Sequence, residues 1–184
     1  MSTVATPAIT TWNVDSTHSV VEFKVKHMMI SNLKGYFTGV TGTLSLDEAD
    51  LTQSSVEAAI EIASIYTMDE GRDAHLKAAD FFDAEQFPTM KLKSTHVAVK
   101  SDGELVVTGD LTIKGVTRSV KFAVEGPTPA TKDPWGNTRI GLAATTKINR
   151  KDFGLTWNAA LEAGGVMVSE DVSISLDLEL VKQA

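Results

Sequence analysis

Apolar and polar residues alternate with a period of two along most of the chain, the pattern of strands with one buried and one wet face. In "SVVEFKVKH", Val21, Phe23 and Val25 share one face and Glu22, Lys24 and Lys26 the other. "SSVEAAIEIAS" sets Val56, Ala58, Ile60 and Ile62 against Glu57, Ala59, Glu61 and Ala63. "DVSISLDLELV" is the clearest run, with Val172, Ile174, Leu176, Leu178 and Leu180 opposite Ser173, Ser175, Asp177 and Glu179. Similar runs over 35–46, 89–99, 104–113, 118–125 and 138–149 bring the strand candidates to eight. Alternation this clean belongs to antiparallel sheets. "SDG" at 101–103 and "KG" at 114–115 read as tight hairpin turns between consecutive runs. Long strands joined by short turns make a meander, and closing eight of them into a barrel removes the exposed edges. The expected fold is all-β, an eight-stranded antiparallel barrel; a sandwich is the alternative that the pattern leaves open.

One segment breaks the alternation. In "TMDEGRDAHLKAADFFDAEQFP", Thr67 and Glu70 are three apart, as in a capping box. Leu76, Ala79 and Phe82, or Ala78 and Phe81, recur at helical spacing. Asp80 and Asp83 resemble a second N-cap, and Pro88 returns the chain to an extended form. A short, interrupted helix between strands 3 and 4 is expected, packed on the barrel or over one end. The other long connections are 126–137 and the stretch that follows residue 149. No linker or repeat divides the chain. Residues 1–10 are expected to be a flexible N-terminal segment and 11–184 a single barrel domain.

Composition narrows the partners. A net charge of -7 and no basic stripe exclude nucleic acid, because nothing neutralises phosphates. The absence of cysteine removes disulfides, thiolate chemistry and cysteine-ligated metals. "MSTVATPAITTW" has neither a basic n-region nor an apolar h-region, so a cytoplasmic location is expected. No run of about 18 apolar residues occurs that would cross a membrane as a helix. The histidines His18, His27, His75 and His96 form no H-x-H, H-x-x-x-H or H-E-x-x-H arrangement, and no metal or cofactor is expected. "DSTHS" holds Asp15, Ser16, His18 and Ser19, the residue types of a hydrolytic triad. Neighbours on an extended chain point apart, so a turn held by local hydrogen bonds is the better reading.

The inward face of the expected barrel is almost wholly apolar: Val21, Phe23, Val25, Ile60, Ile62, Met90, Leu92, Leu111, Ile113, Leu142, Ile148, Ile174 and Leu176. Such an interior cannot take a sugar or nucleotide without stranding polar groups, at about 1–3 kcal/mol each. A packed core and a hydrocarbon-binding pore both satisfy the pattern.

The pieces "WNVDSTHSVVEFKVKHMMISNLKGYFTGVTGTL", "ASIYT", "RDAHLKAADFFDAEQFPTM", "VTGDLTIKGVTRSVKF" and "INRKDFGLTWN" resemble, in order and over nearly the whole chain, the YceI-like family of polyisoprenoid-binding proteins. The resemblance implies a lipocalin-like barrel with a long apolar pore. It also implies a ligand with a long hydrocarbon tail, such as a polyisoprenoid or an isoprenoid quinone, bound for sequestration or transport rather than turnover. Many members are exported, whereas this sequence shows no export signal, so location is not carried over; homodimers occur in the family, and nothing in this sequence reports on one. Burying a five-carbon unit yields about 4 kcal/mol gross, at roughly 0.8 per CH₂, so long tails make release harder than capture. Phe81, Phe82, Phe153 and Trp157 are the expected gate, in the helical segment and a long loop. Continuing the parity of Leu142, Ala144, Thr146 and Ile148 turns Arg150 inward. A buried guanidinium calls for a carboxylate or phosphate, with Asp152, Asp80 and Asp15 as candidate partners. Either an Arg–Asp clasp closes the barrel end, or Arg150, with His18, His75 and Asp152, meets a lipid head group. An enzyme acting on a bound lipid through His18, His75 and Arg150, and a stress-related structural module with a packed core, are the competing functions.

Overall fold

The computed structural model describes residues 9–184. The flexible segment expected over 1–10 lies outside the described residues as far as residue 8. Ile9 and Thr10 already pair with Asp47 and Leu46 at the start of a strand. Twelve strands follow: β1 (Ile9–Val14), β2 (Val20–His27), β3 (Ser31–Phe37), β4 (Val40–Asp47), β5 (Ser55–Glu61) and β6 (Ile65–Tyr66), then, after helix α1 (Glu70–Lys77), the remaining six. These are β7 (Thr89–Val99), β8 (Leu105–Ile113), β9 (Val116–Glu125), β10 (Thr131–Lys132), β11 (Thr138–Asn149) and β12 (Asp171–Lys182).

The ring β1–β4–β5–β7–β8–β9–β11–β12 closes on itself, because β12 pairs with both β11 and β1. This is the eight-stranded antiparallel barrel expected from the alternation, with its first two staves broken; β1 is not among the expected runs and shares the first stave with β2, which is. The half of β12 beyond its β1 pairing carries β2, in the register Phe23↔Ile174 and Val21↔Leu176. Similarly, β3 continues the line of β4, and β6 pairs with β3 where β5 has ended. The single run read over 35–46 is therefore two strands, interrupted at Thr38 and Gly39. The "KG" hairpin pairs Ile113 with Val116, and Lys114 and Gly115 both have positive φ, the conformation a two-residue turn needs to match strand twist.

The helix differs in detail from its expectation. Asp69, not Thr67, is the N-cap, its side chain accepting from the Arg72 N–H at 2.7 Å. Thr67 is buried and accepts from Arg72 Nε at 2.8 Å, while its own N–H donates to Asp73. Asp80 and Asp83 cap no second helix. The chain after Lys77 folds as overlapping turns, with Phe82 N–H bonded to the Leu76 carbonyl and Asp83 in a left-handed conformation.

The two ends of the barrel are built differently. At the end where the strands meet 125–138, Trp12, Leu44, Leu46, Ile140 and Leu180 form a closed core. At the other end the walls stand apart, and α1 with the 150–168 segment covers the interior. One seam there is thin, since β9 pairs with β11 only through Ala123–Glu125. Phe153 and Leu155, packed beside Val120 and Phe122, belong to the core at this end.

Candidate functional site: an apolar cavity under a lid

An internal cavity of about 290 Å³ occupies the wider half of the barrel. Of the thirteen residues expected to face a pore, eleven line it: Val21, Phe23, Val25, Ile60, Met90, Leu92, Leu111, Ile113, Ile148, Ile174 and Leu176. Several of these, among them Phe23, Ile60, Leu92, Ile148, Ile174 and Leu176, are only half-buried although they point inward. They face open space rather than one another, which is how a hollow interior differs from a packed one. The other two lie elsewhere. Ile62 sits in the 3₁₀ turn after β5 and is packed in the core. Leu142 lies toward the closed end, against its core, and lines an outer groove there.

The lid comes from two segments. "INRKDFG" ends β11 and enters a 3₁₀ turn over Arg150–Phe153, where the Asn149 side chain accepts from the Lys151 N–H. Gly154 ends the turn at φ 78, a conformation that favours glycine. This brings Phe153 and Leu155 down into the core and carries Trp157 over the cavity. From the other side, the turns after α1 deliver Phe81 and Phe82. Trp157, Phe81 and His75 form a three-way cluster with ring centroids 5.0–5.3 Å apart, and Phe82 meets Phe37 edge-on at 5.8 Å. All four expected gate aromatics thus line the cavity, three of them across its cover.

Arg150 is inward and buried, as its parity requires, but its partners are not carboxylates. Nε donates to the Ser169 carbonyl (2.8 Å), and Nη1 donates to the carbonyls of Leu155 (2.7 Å) and Trp157 (2.8 Å). Nη2 donates to the Val168 carbonyl at 3.3 Å. The expected Arg–Asp clasp is absent: Asp152 is exposed, and its backbone carbonyl accepts from Arg118. Asp80 bonds His75 at 2.9 Å, and Asp15 bonds Arg139. Burial pushes the Arg150 pKa down, and the field of nearby Glu170 opposes it. A guanidinium stays charged in a protein regardless. Four carbonyl dipoles solvate that charge, and in doing so they fix the loop that forms the lid.

The polar candidates therefore separate. His75 and Arg150 line the cavity, while His18 lines a groove at the closed end and Asp152 faces solvent. The His18–His75–Arg150 set needed for catalysis is not assembled. "DSTHS" is the locally bonded turn expected: Asp15 accepts from the Thr17 N–H and meets His18 Nδ1 at 2.9 Å. Ser19 Oγ is engaged with the backbone of Glu179. Asp15, His18 and Glu179 lie close enough to suggest a metal triad, but Arg139 donates to both carboxylates and to Asp133, so a guanidinium already occupies the cationic place in the cluster.

Sequence reasoning missed several cavity residues. Leu33 and Phe37 share the inward face of β3 with Gly35, whose lack of a side chain hid the alternation. Met167 and Val168 come from an irregular loop, and Arg72 from a helix read only for its apolar spacing; no periodicity marks these.

A closed antiparallel barrel with an apolar chamber beneath a lid places the molecule in the lipocalin-like class of architectures. The family model for the YceI-like domain matches residues 12–180, and the chain belongs to the YceI-like family. A UPF0312 protein of Staphylococcus aureus strain MSSA476 is 39% identical over 172 residues, 93% of this chain and 97% of that protein. The YCEI protein of Campylobacter jejuni superposes with a TM-score of 0.69 at 30% identity, covering 88% of this chain and 91% of its own. BcnA of Burkholderia cenocepacia shares the fold at TM-score 0.76 and 24% identity, over 90% and 98% of the two chains. A polyisoprenoid binding domain from Saccharophagus degradans does so at 0.67 and 15%, over 96% and 100%.

Proposed function

We propose that the protein binds an amphiphile with a long hydrocarbon tail, of isoprenoid type, and holds the tail in the barrel chamber for sequestration or transport without covalent chemistry. The observation that carries this reading is the chamber itself: about 290 Å³ of space walled mainly by Val, Leu, Ile, Phe and Met side chains. Water is a poor occupant there, since each molecule needs two to four polar partners. Hydrocarbon loses nothing by entering and gains roughly 0.8 kcal/mol per CH₂ removed from water. Membership of the YceI-like family supports a lipid as the ligand, and the S. degradans domain of the same fold binds polyisoprenoids according to its name. The aromatic lid is the entrance, because Phe81 and Trp157 meet only through side-chain contact.

The test is native mass spectrometry of delipidated protein mixed with geranylgeraniol, with Trp157 emission as a second readout. A one-to-one complex accompanied by a change in emission, the latter lost in Trp157→Phe, is expected. Failure of any prenol or alkyl chain to bind would refute the reading.

A further inference from the structure

We infer that the chamber selects amphiphiles with a negatively charged head group, with Arg72 at its mouth as the residue that reads the charge; this rests on the tail-binding reading above. The observation is one of sign. The protein is acidic, at -7, with 24 Asp and Glu residues, yet none of the described residues lining the chamber is an aspartate or glutamate. The ionisable lining residues are His27, Arg72, His75, Lys91 and Arg150. Lys91 is set aside, because its neighbours Met90 and Leu92 face inward and Lys91 is exposed. Two guanidiniums and two imidazoles remain.

Both guanidiniums lack a carboxylate within ion-pair distance among the described residues. Arg150 spends four of its five N–H groups on backbone carbonyls, so it offers an incoming anion chiefly its field. Arg72 commits Nε to the Thr67 hydroxyl and one Nη2 hydrogen to the Thr67 carbonyl at 2.6 Å. Its Nη1 group has no hydrogen-bond partner among the described residues, which leaves donors for a carboxylate or phosphate oxygen. Carboxylates do stand nearby, with other engagements: Asp69 on the Arg72 backbone N–H, Asp73 on Thr67, Asp80 on His75 and Glu170 on Lys151. Asp80 and Glu170 are exposed and so are screened by solvent, whereas the Arg150 charge is buried and screened much less. The mouth therefore favours an anion and disfavours an ammonium group on the same tail.

Titration calorimetry with dodecanoate, dodecanol and dodecylammonium at 150 mM salt isolates the head group at constant tail. Dodecanoate should bind at least tenfold more tightly than dodecylammonium, with dodecanol between them. Arg72→Gln should collapse that ratio to within about twofold, while Arg72→Lys keeps it. If all three bind with equal affinity, or the ammonium binds best, the charge selection is wrong and tail binding stands. If none binds, both are wrong. A ratio that survives Arg72→Gln overturns the assignment to Arg72.

Discussion

The Nη1 atom of Arg150 lies 2.8 Å from the backbone carbonyl of Trp157, so a buried cation holds the tryptophan of the lid. The same nitrogen holds Leu155, and the rest of the guanidinium holds Val168 and Ser169. One side chain thus ties both ends of the 155–169 loop to the end of β11. Charge-assisted hydrogen bonds to buried carbonyls are worth more than neutral ones, and losing the donor leaves several acceptors unsatisfied. Arg150→Met should destabilise the fold by about 3–5 kcal/mol, lowering Tm by roughly 6–20 °C for a domain of this size. Arg150→Lys should recover only part, because an ammonium has three donors and no planar fork. Equal Tm for wild type and Arg150→Met would remove Arg150 from its structural role.

Trp157 contributes to the lid through its ring, and the bond to Arg150 runs through its backbone, so the two roles separate by mutation. Trp157→Ala keeps the carbonyl and deletes the ring contacts to His75 and Phe81. Each such contact is worth about 0.5–1.5 kcal/mol. If opening the lid breaks both, lipid dissociation should accelerate by about tenfold, a barrier change near 1.4 kcal/mol. Stopped-flow displacement of a bound fluorescent alkyl chain measures this. An unchanged off-rate would place the exit elsewhere, with the thin β9–β11 seam the next place to look.

The closed end carries its own charge economy. Arg139 donates to Asp15 and Asp133 at 2.7 Å each and to Glu179 at 2.7 Å. The guanidinium holds both aspartates well below the usual carboxylate range, with Thr17 and His18 helping at Asp15 and Asn137 at Asp133. A carboxylate whose pKa is depressed on folding stabilises the native state above its unfolded value, near 3.9, and loses that contribution as pH falls toward the folded value. Between pH 5 and pH 2, Tm should therefore fall more steeply in wild type than in Arg139→Gln. The arginine titrates too high to matter in that window. Parallel Tm profiles for the two proteins over this range would show that the network stores no pH-dependent stability.

The barrel was legible because period two is written into most of the long strands, β7 changing face at the irregularity between Ser94 and His96, and the inward set of the chamber followed from the same parity. Arg150 inherited its inward direction from Ile148 in this way. Its partners were not legible, because hydrogen bonds to the carbonyls of 155, 157, 168 and 169 depend on a loop with no periodic signal. The pairing rule for buried charges pointed to aspartates, whereas dipoles at short range were enough. His18 failed for a related reason: residue type made it a candidate, and only the topology shows that it sits at the end opposite His75. The hollow could not be read from alternation at all, since Ile174 has the same parity whether it meets a side chain or a space.

The chamber sets a limit on tail length. At about 30 Å³ for a water-sized group, 290 Å³ holds on the order of ten carbon centres with the lid shut. Across a series of straight-chain carboxylates, affinity should rise by roughly fifteenfold for every two carbons, at about 0.8 kcal/mol per CH₂. It should then flatten near ten to twelve carbons, where further tail must either leave through the lid or hold it open. A rise that continues unbroken to eighteen carbons would mean that the chamber expands on binding.

Phe23 and Gly35 offer a way to shrink the chamber without touching the lid. They face each other across β2 and β3, and a Cβ on Gly35 would stand 2.2 Å from Phe23 Cζ. The phenyl ring therefore lies directly over the glycine, which frees the volume that the ring would otherwise fill. Gly35→Ala must push the ring off the wall, and the open direction is inward, since Phe23 lines the chamber and meets Phe37 on its flank at 5.6 Å. The expected result is about a tenfold weaker complex with dodecanoate, together with a loss of about 1–3 kcal/mol in stability from overpacking. Removing the ring as well should restore room: Phe23→Ala in the Gly35→Ala background should bind at least as tightly as Gly35→Ala alone, with a higher ceiling on chain length. If the double variant binds no better and tolerates no longer chain, Phe23 does not bound the tail site, and the ligand sits nearer the mouth than the chamber floor.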